Sequence, residues 1–263
     1  MTVAAEGIVH RTSARGWRRP WSAATIALTL LVVLVCLLTM TPIGVTIVMA
    51  FRSAPPGQPA TWGVNGFARA FTDPQVGSVV WTSLWLSVVR AFLATALAIV
   101  IAWIIARTDC PGRDKLFALI TLSFFFPVIA KVLGWAVLGS PRTGYINQFL
   151  RLFPFFTENS GPIDIFSYGG LIFVSVLGWS TFLIIFLIPA FKAMDASLEE
   201  SARMAGATAR ETLFKIMVPL MRPAIVAVLI LALVRMFSSF EVEYFLGSKV
   251  GIYVFTNKIY ERL

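Results

Sequence analysis

The sequence predicts an all-α fold, a polytopic transmembrane helical bundle, on three observations. Of its 263 residues, 58% are hydrophobic and only 13% charged, about half the charge of a soluble domain. Five apolar stretches, 23–50, 79–106, 116–138, 169–191 and 223–240, approach or exceed the roughly 20 residues that a spanning helix needs. Lys and Arg gather in alternate connections, the signature of loops that face the cytoplasm.

A polar tail, residues 1–22, opens the chain and carries Arg11, Arg15, Arg18 and Arg19. A signal peptide also begins basic, but its apolar core runs to about 7–15 residues. The run 23–50 is far longer and reads as a retained anchor. Trp17, Trp21, Trp62 and Trp81 fall near the ends of apolar runs, where tryptophan anchors a helix at the interface. After the second run, Arg107 to Lys115 reads Arg-Thr-Asp-Cys-Pro-Gly-Arg-Asp-Lys, a tight turn bent at Pro111-Gly112. The tail, this turn and the loop 192–222 hold 12 Lys and Arg, and the other connections with the C-terminal segment hold 7. The tail and the 192–222 loop are therefore expected in the cytoplasm, with 52–78 and 140–168 outside. The segment after residue 240 is too polar to cross. The expected domain, 23–263, thus lacks a sixth helix that would follow Leu263.

Several functions are excluded by residue type. The one histidine, His10, lies in the tail, which argues against His-based metal sites and Ser-His-Asp catalysis. No G-x-x-x-x-G-K-[ST] phosphate loop occurs. Cys36 sits in an apolar run and Cys110 in a basic turn, a poor setting for a structural disulfide. The net charge of +9 follows from basic cytoplasmic loops and needs no nucleic-acid partner. No cofactor, metal or catalytic residue is expected.

The 192–222 loop is the most charge-rich segment. Ser197 is followed three residues later by Glu200, and Thr208 by Glu211, two capping boxes in series. Gly206 falls between them, where a left-handed residue would end the first helix. Pro219 would stop the second or open a new one. The expectation is two short helices about a Gly-centred bend. Leu198, Ala202 and Ala205 lie on one helical spacing beside Glu199 and Arg203. Such a pair either lies on lipid headgroups or is gripped by another protein, and its small alanines disfavour the first reading.

The same segment resembles the E-A-A-x3-G-x9-I-x-L-P loop of type I ABC importer permeases. Glu200, Ala202, Gly206, Ile216 and Pro219 match in register, with Ser201 for the first alanine and Val218 for the leucine. In that family the loop is the coupling helix that inserts into a groove of the ATP-binding subunit. The resemblance implies that Glu200, Ser201, Ala202, Gly206, Ile216 and Pro219 form the ATPase-coupling element. Thr82-Ser83-Leu84, Ala106-Arg107-Thr108 and Pro111-Gly112-Arg113 resemble further family segments. Gly144 to Asn147, Ser239-Phe240-Glu241 and Leu246-Gly247 resemble the iron(III)-type branch, whose members often fuse two permease halves. The resemblance implies a multi-pass subunit of the inner membrane. Its partners would be an ATP-binding cassette ATPase, an extracytoplasmic substrate-binding protein, a second permease half and membrane lipid. The substrate implied is iron(III), with polyamine, thiamine, phosphonate and sulfate open.

Arg90, Lys131 and Arg235 fall within apolar runs, where a charge faces protein or water. Lys131, four residues after Pro127, reads as a paired or snorkelling charge. Arg235 shares a face with Ser238 and Ser239, with Glu241 close by, and these four are the candidate translocation path. The aromatic cluster Phe124-Phe125-Phe126 reads as packing. An ion-driven secondary transporter is the main alternative, but it calls for mid-membrane carboxylates, and the first four runs hold none.

Overall fold

The structure, a computed structural model, describes residues 22–52, 59, 62–153 and 161–261. The basic tail up to Trp21 and parts of both expected outer loops lie outside the described residues. The chain forms two compact units that divide after Thr72.

In the first unit, α1 (Ala23–Ala50) starts where the Ser22 hydroxyl accepts from the Thr25 amide at 3.2 Å. Its threonines at 29, 39, 41 and 46 bond back to carbonyls one turn earlier, which hides their hydroxyls from an apolar surrounding. A short amphipathic helix, α2 (Asn65–Thr72), follows. Phe67 packs on Phe51 with ring centroids 5.4 Å apart.

The second unit is built on α3 (Pro74–Arg107) and α7 (Tyr168–Lys192). Ala91, Ala94, Ala98 and Ala102 recur at helical spacing on α3 and are fully buried. Small side chains let two helices approach closely in lipid, where dispersion replaces the hydrophobic effect as the driving force. Leu183, Leu187 and Phe191 of α7 fill that seam, with Val228, Ala232 and Met236 of α10 (Arg222–Phe237). Between α3 and α7 come α4 (Arg113–Phe125), α5 (Val128–Leu138) and the short α6 (Tyr145–Leu150). Gly112 adopts φ +83° at the expected turn.

Among the described residues three helices, α1, α3 and α7, are long and apolar enough to cross a membrane, or up to five if each of two bent pairs is one span. The run 116–138 is not a straight span: α4 and α5 meet at 105°. Pro127 removes a helix amide and disfavours helical backbone at Phe126, which is extended. The second bent pair is α9 (Ala209–Leu220) with α10, at 78°.

Pro219 stands near the start of a short α-helical turn, Val218–Leu220, that closes its helix. Residues Thr212–Met217 form a π turn in which the Val218 amide reaches Leu213, five residues back. The widened turn admits the proline ring. The break falls at Met221, and Pro223 opens α10 at a position where its missing amide is no loss. After α10, a π turn (Glu243–Gly247) and the helix α11 (Phe255–Glu261) pack into this unit through Val242, Leu246, Ile252 and Val254.

Candidate functional site

The loop between α7 and α9 is ordered by short-range bonds. Helix α8 (Ala196–Met204) begins at Asp195, whose carboxylate accepts from the Ser197 amide at 3.0 Å. That bond holds the Asp195 carboxyl below the usual carboxylate range. The cap expected at Ser197 is therefore displaced by two residues. A carboxylate is the stronger acceptor and favours the positive end of the helix. The second box forms as expected: Glu211 amide to Thr208 hydroxyl at 3.2 Å, and Thr208 amide to Glu211 carboxylate at 3.1 Å.

Between the helices Gly206 takes φ +82°. Its amide bonds to Arg203 and that of Ala207 to Ala202, the paired closure of a Schellman motif. Glu200, Ser201 and Gly206 are exposed, Ile216 and Pro219 half-buried, and Ala202 buried within the loop. Ala202 thus packs α8 inward and offers no outer surface. Met204 is 89% exposed at the end of α8.

A tie absent from the sequence reading fixes this loop to the bundle. Arg107, in the last turn of α3, donates through Nε to the Phe191 carbonyl at 2.8 Å and through Nη2 to the Met194 carbonyl. Its Nη1 lies 3.2 Å from Glu199 of α8, as an ion contact without hydrogen-bond alignment. One guanidinium thus joins the ends of α3, α7 and α8. Arg107→Gln should loosen α8 and speed trypsin cleavage after Arg203 in the purified protein by roughly tenfold or more, the size of a lost charged hydrogen bond. An unchanged cleavage rate would deny Arg107 this role.

Deep in the same unit lies a second charge cluster. Arg90 of α3 is 1% exposed and pairs with the fully buried Glu243. Arg90 also donates to Ser175 of α7 at 3.0 Å and to the Leu86 carbonyl at 3.1 Å. Ser239 donates to the other Glu243 oxygen at 2.7 Å. Of the four expected path residues, Ser239 is thereby committed to this network. Arg235 and Ser238 are exposed, and Glu241 is half-buried. Lys131 bonds to the Ser123 carbonyl across the α4–α5 bend at 3.1 Å. Asn147 is buried and holds Ser140 and Ile163 through its amide, a structural tie within the expected outer loop.

Residues 99–262 match the family of binding-protein-dependent transport system inner membrane components. The chain belongs to that family, the permeases of type I ABC importers. The permease is similar to the inner membrane ABC transporter permease protein YcjO of Escherichia coli, 25% identical over 203 residues, 73% of this chain and 68% of the relative. It is also similar to the sulfate transport system permease protein CysT of Salmonella typhimurium, 25% identical over 234 residues, 89% of this chain and 78% of the relative. A solved bacterial ABC transporter involved in the import of the acidic polysaccharide alginate shares the fold, with a TM-score of 0.67 at 21% identity over 89% of this chain and 78% of its own. None of these three descriptions mentions iron(III).

Proposed function

We propose that this permease moves a substrate, received from an extracytoplasmic binding protein, across the inner membrane, and that a separate ATPase drives it through the 195–219 loop. The observation that carries the reading is the loop's construction. Two capped helices meet at a left-handed glycine, the first is tied through Glu199 to Arg107, which also holds the end of α7, and the loop presents Glu200, Ser201 and Met204 outward. A partner that moves this loop moves the ends of α3 and α7 with it. Closure of the ATPase would then shift the permease between inward- and outward-open states. The chain itself does no covalent chemistry.

In this reading the N-terminal tail and the loop face the cytoplasm, and the exposed Arg235 and Ser238 lie on the face of α10 turned to the path or to a second permease half. Arg235→Ala should impair transport at normal abundance and ATPase assembly; normal transport would remove Arg235 from the path. An ion-driven transporter needs a carboxylate free to exchange its ion, whereas Glu243 is held by Arg90 and Ser239. Of the substrate readings open from the sequence, iron(III), polyamine, thiamine, phosphonate and sulfate, the name of one relative favours sulfate.

Co-purification of an ATP-binding cassette subunit with the tagged permease tests the whole. Orientation is tested separately. A single cysteine at position 201, with Cys36 and Cys110 replaced, should react with a membrane-impermeant thiol reagent in inverted vesicles and stay unlabelled in intact cells. Labelling from outside would reverse the topology.

A further inference from the structure

We infer that the pocket at the α4–α5 bend, facing α7, is an anion-binding station on the translocation route, with Lys131 as its cation. The inference rests on the importer reading and adds the charge of the substrate group that the route accepts. The pocket has about 530 Å³ of empty space, part of it open to the surroundings. Lys131, Ser175 and Trp179 are its polar side chains, and Phe124, Val132 and Phe182 are among its apolar lining.

Each polar group there has a donor to spare. The Lys131 ammonium carries three donors and gives one to the Ser123 carbonyl. No carboxylate of the described residues pairs with it, in contrast to Arg90. The Ser175 oxygen accepts from Arg90, and its own proton goes to no described acceptor. The indole N–H of Trp179 has no described partner either, while its ring packs on Phe182 at 6.3 Å. No carboxylate and no side-chain amide lines the pocket. A cation inside an apolar stretch is costly and marks a route or a partner. Here the built-in partner is one carbonyl, and Lys131 lines the pocket. The aromatic wall keeps the local dielectric low, which strengthens attraction for a negative group. An oxyanion such as sulfate or a carboxylate fits this set of donors; a metal cation, which needs acceptors that the lining lacks, does not.

The test uses the full chain in lipid nanodiscs, with its ATPase where that co-purifies, and iodide as the anion probe. Iodide quenches tryptophan on contact. The wild type should show a saturable quenching component that Trp179→Phe removes. Lys131→Gln should weaken it by roughly ten- to a hundredfold, the size of one charge-assisted bond, and Lys131→Arg should keep it. Sulfate should compete with iodide at constant ionic strength, and caesium should produce no saturable component. Absence of the component in the wild type, or its survival unchanged in Lys131→Gln, overturns the proposal. Association of the ATPase is read on the same preparation, so a failure of the importer reading shows there and leaves the quenching result standing.

Discussion

Glu243→Gln should sharply lower the amount of folded permease in the membrane. The substitution leaves Arg90, 1% exposed, without its counter-charge. Removing one member of a buried ion pair costs about 3–5 kcal/mol, because the survivor keeps its desolvation penalty and loses its compensation. Ser175 and the Leu86 carbonyl still bind the guanidinium, but both are neutral. Arg90→Met should be similarly damaging, since it strands the carboxylate with Ser239 alone. The double variant Arg90→Met, Glu243→Leu should recover much of the loss, because packed apolar groups replace buried pairs at little cost. Membrane abundance and detergent melting temperature measure all three. Single variants with wild-type values on both would show that the pair is not holding α3, α7 and the C-terminal segment together.

Gly206→Val should leave abundance near normal and weaken association with the ATPase. At φ +82° a β-branched side chain costs about 1–2 kcal/mol or more. A polytopic bundle survives that loss. The two helices that meet at residue 206 do not keep their angle, because the bonds to Arg203 and Ala202 depend on the left-handed turn. Glu200→Lys should act in the same direction by reversing an exposed charge on α8. It does so without disturbing the cap, since Asp195 and not Ser197 starts the helix. ATPase co-purification and transport in reconstituted vesicles check both. Full association and transport in both variants would remove the loop from the coupling path.

The parts legible in the sequence are those fixed by short-range rules. Thr208 and Glu211 stand three residues apart and form their box. Gly206 and Gly112 sit where a left-handed residue is needed. The first, second and fourth apolar runs are continuous helices, although Pro42 and Pro189 lie inside the first and the fourth. Errors arise where two local rules compete. Asp195 and Ser197 can both cap α8, and only geometry chooses. Pro219 follows a π turn and sits in a short α-helical turn that ends one residue later, at Leu220.

The long-range ties left no local trace. Arg90 and Glu243 are 153 residues apart. Each is visible as a charge near lipid, and no spacing rule links them. In the sequence Arg107 reads as part of a turn, and Glu199 as a charge beside the small residues of the loop's first helix. Their contact depends on how α3 and α7 end side by side. Lys131 reads in the sequence as a pairing or snorkelling charge, but that it lines a pocket follows only from the 105° bend.

The Arg90–Glu243 pair also orders events during biogenesis. A ribosome delivers α3 long before residue 243 leaves the exit tunnel, so the arginine enters the bilayer uncompensated. Until the C-terminal segment docks, that helix carries the cost of an unpaired arginine, about 2.5–3.5 kcal/mol at mid-membrane. A segment made later therefore completes the pairing of a helix made earlier. Without residue 243 in place, Arg90 has only the neutral Ser175 and the Leu86 carbonyl as partners.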